Sequence, residues 1–179
     1  MEASKLNNSN QLIKVDYNDV PIGIGSKEEL HIKPIMHRAF SVFIYHDGKM
    51  FIHQRKDNKY HSGGLWTNAC CSHFREGMDE VQCVNDRLNF ELGINEEPQY
   101  LTKFVYYHKF SDVMYEFEYD HVYVLDYNGS FAVNNDEIQD TKWVDIELLS
   151  KDIVLHPERY SVWFITAFGY VYEYLKNKE

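Results

Sequence analysis

The pattern of apolar and polar positions predicts β-strands separated by turns in the first part of the chain. Residues 12–25, LIKVDYNDVPIGIG, read as two short strands about a polar turn. Residues 39–55, AFSVFIYHDGKMFIHQR, predict a hairpin, because two apolar, β-rich runs flank the strong turn dipeptide Asp47-Gly48. Residues 65–73, LWTNACCSH, predict a further strand.

Helical spacing replaces the strand pattern after this point. Residues 78–92 predict a helix that ends at Gly93, because apolar side chains recur every three or four positions. Those side chains are Met78, Val81, Val84, Leu88 and Leu92. Further strands are predicted in 101–110, 113–127 and 141–146, and Pro157 opens a predicted final helix that is apolar on most sides up to Val171.

The order of strands, helix, strands and helix predicts a mixed α/β or α+β layered fold in one domain. The chain of 179 residues has a length that suits one domain with a sizeable core. Residues 1–11 are polar and are predicted to form a disordered tail, so the predicted domain is 12–179.

Charge and cysteine content restrict the partners and the compartment. The net charge of −10 argues against general attraction to nucleic acid or to an anionic membrane. The three cysteines cannot build a disulfide framework, which favours a reducing compartment. The longest apolar run, 162–171, is too short for a membrane span, and the N-terminus lacks a signal-like apolar segment. We therefore expect a cytoplasmic protein with no nucleic-acid or membrane partner.

Side-chain alternation along two predicted strands groups chemically active residues on shared faces. In 66–73, Cys71 and His73 share a face with Thr67 and Ala69, whereas Cys70 lies on the other face with Trp66 and Asn68. The adjacent cysteines then cannot act as a pair. In 115–120, the three acidic residues Glu116, Glu118 and Asp120 lie opposite three aromatic residues. Taken alone, these residues also fit a small core cysteine and a solvated acidic edge.

The segment WTNACCSH, followed by a helix that ends RLNFELGI, resembles the type I isopentenyl-diphosphate isomerases, a branch of the Nudix fold. Other stretches of residues 12–172 follow the same family order: VPIG, HRAFSVFIY, HQRKDNKYHSGGLWTN, YEFE, NDEIQDTKWVD and YSVWF. The resemblance implies a Nudix-type mixed sheet layered between helices. The chain departs from the family pattern at three points. Ser72 and Phe74 stand where the family usually has Gly and Pro, and the interval from His31 to His37 is one residue shorter than the family pattern.

The resemblance also implies roles for individual residues. The implied catalytic residues are Cys71, Glu118 and Tyr106. The implied ligands of one tightly bound Mn²⁺, Zn²⁺ or Mg²⁺ are His31, His37, His73, Glu116 and Glu118. Glu91 would hold a second ion, Mg²⁺, against the substrate diphosphate. The implied substrate-binding residues are Lys27, Arg55, Lys59, Arg87 and Trp163.

The activity implied is interconversion of isopentenyl and dimethylallyl diphosphate. The sequence does not reveal the oligomeric state, and we expect a monomer. Glu118, assisted by Tyr106, would protonate the alkene, a Cys71 thiolate would remove a second proton, and Trp163 would face the carbocation-like intermediate. The alternative is a Nudix hydrolase of a nucleoside or other diphosphate. Its helix pattern, REUxEExGU, corresponds here to DRLNFELGI, in which Glu91 is retained and Arg87 and Phe90 replace the other glutamates. A metal-binding or ligand-binding module without activity is a third interpretation.

Overall fold

The computed structural model describes residues 11–178 and contains one mixed sheet with helices on both faces. The strands are β1 Gln11–Val15, β2 Pro21–Ser26, β3 His37–His46, β4 Lys49–Arg55, β5 Trp66–Thr67, β6 Cys70–His73, β7 Gln99–Ser111, β8 Met114–Asp126 and β9 Ile138–Asp145. The helices are α1 Lys27–Ile32, α2 Glu80–Leu92, α3 Ile146–Leu155 and α4 Val162–Lys176. None of the helices described is long and apolar enough to cross a membrane.

Two hairpins occur where the sequence predicts them. Strands β1 and β2 pair antiparallel around the polar turn, and β3 and β4 pair across Asp47-Gly48. Asp47 and Gly48 both have positive φ, 46° and 69°, as the tight type I′ hairpin turn requires. Residues 1–10 of the predicted tail 1–11 lie outside the described residues, whereas its last residue, Gln11, belongs to β1.

Strand β3 is central to the sheet and determines which residues meet at the site. It pairs antiparallel with β1, β4 and β6 and parallel with β8, while β7 pairs with β8 and β9 with β4. The register places His37 beside Glu118, and Ala39 beside both His73 and Asp120. Histidines and carboxylates from three strands therefore meet at the N-terminal end of β3.

Each face of the sheet packs against different helices. On one face, Phe43 and Ile52 join Leu149 of α3 and Phe164 of α4 in a core. On the other face, the core includes Val42, Ile44, Phe51 and α2 residues such as Leu88. Neighbouring β3 residues alternate between the two cores, as the period of a strand requires. The predicted α+β fold, a mixed sheet layered between helices, is confirmed.

The predicted strand 65–73 is broken into β5, which pairs with β4, and β6, which pairs with β3. The Asn68 amide spans the break and donates to the carbonyls of Val42 and Cys70 at 3.1 and 2.7 Å. The break interrupts alternation, so Trp66 packs on the α4 side with Cys71, and Ala69 on the α2 side with Cys70. The predicted faces of Trp66 and Ala69 are wrong, whereas the opposite orientation of the two cysteines is confirmed.

Helix boundaries differ from the predictions near their ends. The Asp79 side chain caps α2, which ends with Gly93 in the left-handed conformation, and Val81 is exposed although its spacing predicted burial. The segment opened by Pro157 is a 3-10 turn, and α4 begins at Val162. Helix α3 was not predicted; its N-terminus is capped by Asp145, whose side chain accepts from the Leu148 N–H at 3.0 Å.

Candidate active site

Most of the predicted site residues line one cavity of about 510 Å³, a volume typical of small-molecule sites. The predicted residues on its wall are Lys27, Arg55, Lys59, Cys71, His73, Arg87, Tyr106, Glu116, Glu118 and Trp163. They come from α1, β4, the loop that follows it, β6, α2, β7, β8 and α4. Residues that are up to 136 positions apart in the chain, from Lys27 to Trp163, are thus brought together by the fold.

Five of the predicted metal ligands form a compact group at one end of this cavity. They are His31, His37, His73, Glu116 and Glu118, and one candidate ligand atom from each lies within 4.8 Å of the others. His31 belongs to this group despite the short interval to His37, because α1 directs its side chain toward β8. Its Nε2 lies 3.1 Å from Glu116 Oε2.

Backbone carbonyls hold two of these imidazoles with Nε2 directed into the group. His31 Nδ1 donates to the Lys27 carbonyl at 2.6 Å, and His37 Nδ1 donates to the Ile35 carbonyl at 2.9 Å. Since Nδ1 carries the proton in each case, Nε2 of the neutral ring has a free lone pair. This arrangement is typical of histidines that ligate metals.

The same group contains buried polar atoms that have no hydrogen-bond partner among the described residues. Among the residues described, His31 Nε2, His37 Nε2 and Glu116 Oε2 make no hydrogen bond. Buried polar atoms without partners are costly, and a divalent cation would satisfy all three. Three imidazoles with two carboxylates suit Zn²⁺ or Mn²⁺ better than Ca²⁺. The residues therefore fit a bound metal, although their role as ligands stays a prediction.

The Glu118 carboxylate belongs to the five-residue metal group and also lines the cavity. Tyr106 donates its hydroxyl proton to Glu118 Oε2 at 2.5 Å, and His73 Nε2 donates to Oε1 at 2.8 Å. Burial favours the neutral acid, but the neighbouring imidazoles of His37, 3.7 Å away, and His73, 2.8 Å away, hold the pKa of Glu118 well below its usual range. Glu118 is therefore an ionised carboxylate in the metal-free protein.

The Cys71 thiol has the opposite protonation preference. Burial raises its pKa to about 12, so Cys71 carries its proton at neutral pH. The Cys71 thiolate implied by the resemblance is therefore wrong for the metal-free chain. Cys70 is fully buried in the core on the α2 side and does not line the cavity. The site thus combines a protonated thiol with an ionised carboxylate.

Four predicted cationic residues surround the rest of the cavity. The Lys27 ammonium lies 4.7 Å from the ring centroid of Tyr60, and the Arg55 guanidinium lies 5.1 Å from that of Trp163. Within the part of the chain that is described, Arg55 Nε is buried without a hydrogen-bond partner. An uncompensated cation on a concave wall favours an anionic ligand.

Lys59 and Arg87 share one carboxylate that the sequence analysis did not assign. Glu137 Oε2 accepts from Lys59 Nζ at 2.6 Å and from an Arg87 terminal nitrogen at 2.8 Å. Arg87 also forms the expected i,i+4 ion pair with Glu91. Burial, and then the nearby Glu137 charge, raise the pKa of Glu91 to about 7 against the opposing effect of Arg87. Glu91 lies next to these cations but does not line the cavity wall.

Two further residues at the site lie within stretches that carry the family resemblance, but the sequence predicts no role for either of them. Glu137 lies in the motif NDEIQDTKWVD, and His61 lies in the loop 56–65, where no periodicity indicates a direction. Asp120, the third acidic residue on the predicted face with Glu116 and Glu118, lies outside the five-residue group and accepts from the Ser41 hydroxyl at 2.8 Å. Burial raises its pKa well above the usual range, so it is a neutral acid.

Comparison with known proteins agrees with this fold and site. Residues 35–164 match the NUDIX domain. The solved structure of DR0079 from Deinococcus radiodurans has a TM-score of 0.66 at 16% identity, covering 82% of this chain and 90% of that one. A MutT protein from Methanosarcina mazei Go1 has a TM-score of 0.62 at 14% identity, covering 80% and 96%. The molecule is thus a Nudix-fold protein.

Curated relatives define the branch of that fold. An isopentenyl-diphosphate Delta-isomerase of Serratia proteamaculans is 38% identical over 156 residues, which is 87% of each chain. One from Aromatoleum aromaticum is 38% identical over 86% of this chain and 82% of its own. The chain belongs to the isopentenyl-diphosphate Delta-isomerase family.

Proposed function

We propose that the protein interconverts isopentenyl diphosphate and dimethylallyl diphosphate. The observation that carries the proposal is the combination, in one cavity, of the protonated Cys71 thiol with the Glu118 carboxylate held by Tyr106. The reaction moves a double bond by adding a proton to one carbon and removing a proton from another. A proton donor and a proton acceptor on the same cavity are what this reaction needs.

The two groups exchange their roles with the direction of the reaction. With Cys71 protonated and Glu118 ionised, the Cys71 thiol supplies a proton to the substrate and the Glu118 carboxylate accepts one from it. In the reverse direction, Glu118 is the proton donor and Cys71 is the acceptor. Tyr106 holds Glu118 in place through its hydroxyl. The Trp163 indole, which is 4% exposed and lines the cavity, would stabilise the cationic intermediate through its π face.

The charged residues hold the substrate head group and the metal ions. A tightly bound divalent cation would lie among His31, His37, His73, Glu116 and Glu118, where it would orient the carboxylates and adjust their proton affinity. Lys27, Arg55, Lys59 and Arg87 would bind the diphosphate, and Glu91 would hold a Mg²⁺ ion that is bound with it.

Hydrolysis of a diphosphate is less well supported. Of the three α2 positions where the hydrolase pattern has glutamate, position 91 retains it, while Arg87 forms an ion pair with Glu91 and Phe90 is 53% exposed. Few carboxylates thus remain on α2 to bind Mg²⁺ and activate water. The further expectations, a monomer in the cytoplasm, stay predictions that size-exclusion chromatography and cell fractionation can test.

Turnover in heavy water distinguishes the two reactions. The protein is incubated with isopentenyl diphosphate and Mg²⁺ in D₂O, and the products are identified by NMR. We expect dimethylallyl diphosphate that carries deuterium on carbon, because the side chains exchange their protons with solvent between turnovers, and an intact diphosphate. Release of phosphate or a monophosphate without deuterium on carbon would contradict the proposal and support a hydrolase.

The role of Glu91 has its own test. Glu91→Gln should raise the Mg²⁺ concentration needed for half-maximal turnover, while elemental analysis should find the first metal retained, because Glu91 is not part of the five-residue group. Glu96→Gln, at an exposed position a few residues further on, is the matched control. An unchanged Mg²⁺ requirement in Glu91→Gln would exclude this role.

A further inference from the structure

His61 occupies a position between the metal group and the aromatic wall of the cavity. Its side chain is 6% exposed, and its Nε2 lies 3.0 Å from Glu116 Oε1. The imidazole stacks on Phe110, with ring centroids 4.4 Å apart and planes at 17°, and it meets the Trp163 ring edge-on at 5.6 Å. One small ring therefore contacts both a candidate metal ligand and the wall that faces the substrate carbons.

The contacts of His61 define its proton arrangement. An ionised carboxylate offers only acceptors, so the ring proton lies on Nε2, which faces Glu116 Oε1 at 3.0 Å. Nδ1 is then an acceptor, and the Ser62 hydroxyl, 3.2 Å away, donates to it. Both ring nitrogens have a partner, and stacking on Phe110 fixes the ring plane. His61 is thus an oriented neutral imidazole that presents a donor to Glu116.

The two oxygens of Glu116 face different partners. Oε1 lies toward His61, whereas Oε2 lies 3.1 Å from His31 Nε2 and makes no hydrogen bond among the residues described. The five-residue metal group includes Glu116 and leaves His61 outside it. The imidazole therefore contacts the oxygen on the far side of the carboxylate and leaves Oε2 directed at the other ligands.

The loop that carries His61 is packed tightly enough to hold this position. A Cβ atom at Gly63 would lie 2.4 Å from the Asp57 carbonyl oxygen, so the two ends of the loop are in close contact. The Gln54 amide donates to the Gly64 carbonyl at 2.8 Å, and the Arg55 N–H donates to the Leu65 carbonyl at 3.0 Å. Hydrogen bonds at the base of the loop thus position His61 relative to β8.

We propose that His61 is a positioning residue, which directs Glu116 Oε2 at the metal through the contact of its Nε2 with Oε1. The inference rests on the proposed function, because it assumes that the five-residue group binds a metal. Partners that hold a ligating carboxylate typically change metal affinity by about 10- to 100-fold when they are removed. Because the same ring contacts Trp163, loss of His61 should also disturb the wall beside the substrate carbons.

Two substitutions distinguish the effect of the His61 Nε2–H group on Glu116 from the effect of the His61 ring on its neighbours. His61→Phe keeps a ring that can stack on Phe110 but has no donor, and His61→Gln keeps a donor near Nε2 but has no ring. The affinity of the purified, metal-free protein for Mn²⁺ is measured by competition with a chelator, without substrate. We expect His61→Phe to bind Mn²⁺ about 10- to 100-fold more weakly and His61→Gln to remain within a few-fold of the unaltered protein. His156→Gln, at an exposed histidine near α3, is the control.

Thermal unfolding of the metal-free variants shows whether they fold. If His61→Phe does not fold, His61→Gln decides alone: near-normal affinity supports the proposal, and weak binding in a folded variant overturns it. In a Glu116→Ala background, His61→Phe should have no further effect on affinity, because it acts through Glu116. Unchanged Mn²⁺ affinity in His61→Phe would refute the positioning role.

Measuring turnover of isopentenyl diphosphate separately distinguishes this failure from failure of the proposed function. If the unaltered protein turns over the substrate and the His61→Phe variant has normal Mn²⁺ affinity, only the role of His61 is overturned. A protein that binds Mn²⁺ in a His61-dependent manner but fails to isomerise the substrate retains the role of His61 and overturns the proposed activity. A protein that binds no Mn²⁺ overturns the role of His61 as well.

Discussion

The adjacent cysteines provide the sharpest test of the site, because they have the same chemistry and opposite positions. Cys71 lines the cavity with Glu118, whereas Cys70 is fully buried in the core on the α2 side. We predict that Cys71→Ala abolishes turnover and that Cys70→Ala leaves it nearly unchanged. Each substitution removes one sulfur atom, so a difference in activity between the two variants must come from where the sulfur lies and not from which atom is lost.

The expected magnitudes are well separated. Removing one buried heavy atom at Cys70 costs about 1 kcal/mol in transfer and cavity free energy. Even at a stability of about 5 kcal/mol, at the low end for a domain, roughly 4 kcal/mol remains and about 0.1% of the protein is unfolded. Unfolding therefore cannot explain a loss of activity in Cys70→Ala. Loss of a general acid or base at Cys71 costs about 10²- to 10⁴-fold in rate.

The assay measures kcat for conversion of isopentenyl diphosphate with saturating Mg²⁺, after circular dichroism has established equal folded content. Cys71→Ser is a closer replacement, because it keeps a proton on a smaller, less acidic group, and we expect it to remain strongly impaired. Near-normal turnover in Cys71→Ala, or a loss confined to Cys70→Ala, would refute the assignment of the faces and of the catalytic residue.

Three further predictions follow from hydrogen bonds and burial. Tyr106→Phe removes the hydroxyl that donates to Glu118, an interaction with a charged group worth about 1.5–3 kcal/mol, so kcat should fall roughly 10- to 150-fold and the acid limb of the pH–rate profile should move to higher pH. Burial lowers the pKa of His37, but the nearby Glu118 raises it overall, so protons should compete with the metal for the His37 imidazole. Elemental analysis should find that less metal is retained as the pH drops, and that His37→Ala loses nearly all of it. Burial raises the pKa of Asp120, so the folded protein keeps this proton at pH values above about 4, at which the unfolded chain releases it. The free energy of unfolding therefore decreases as the pH rises. Asp120→Asn should therefore gain stability relative to the metal-free unaltered protein from pH 5 to pH 7 in urea unfolding, and a constant difference would show that Asp120 is ionised.

The local predictions that succeeded rest on short-range geometry. The turn at Asp47-Gly48 follows from the positive φ that both positions adopt, and the end of α2 follows from the left-handed Gly93. Alternation in 115–120 places the acidic side chains on the buried face because β8 is continuous there. The same rule failed in 65–73, where Asn68 breaks the strand by bonding two carbonyls.

The sequence by itself determined the hairpins, the helix boundary at Gly93, the opposite faces of Cys70 and Cys71 and, through its motifs, the family. These features depend on backbone sterics and on the order of nearby residues. Only the tertiary structure decided that His31 joins the metal group, that Cys71 carries its proton and that Glu137 and His61 belong to the site. Such features depend on pairing between strands that are distant in the chain, and on burial, which alters the free energy of a charge after the fold has formed.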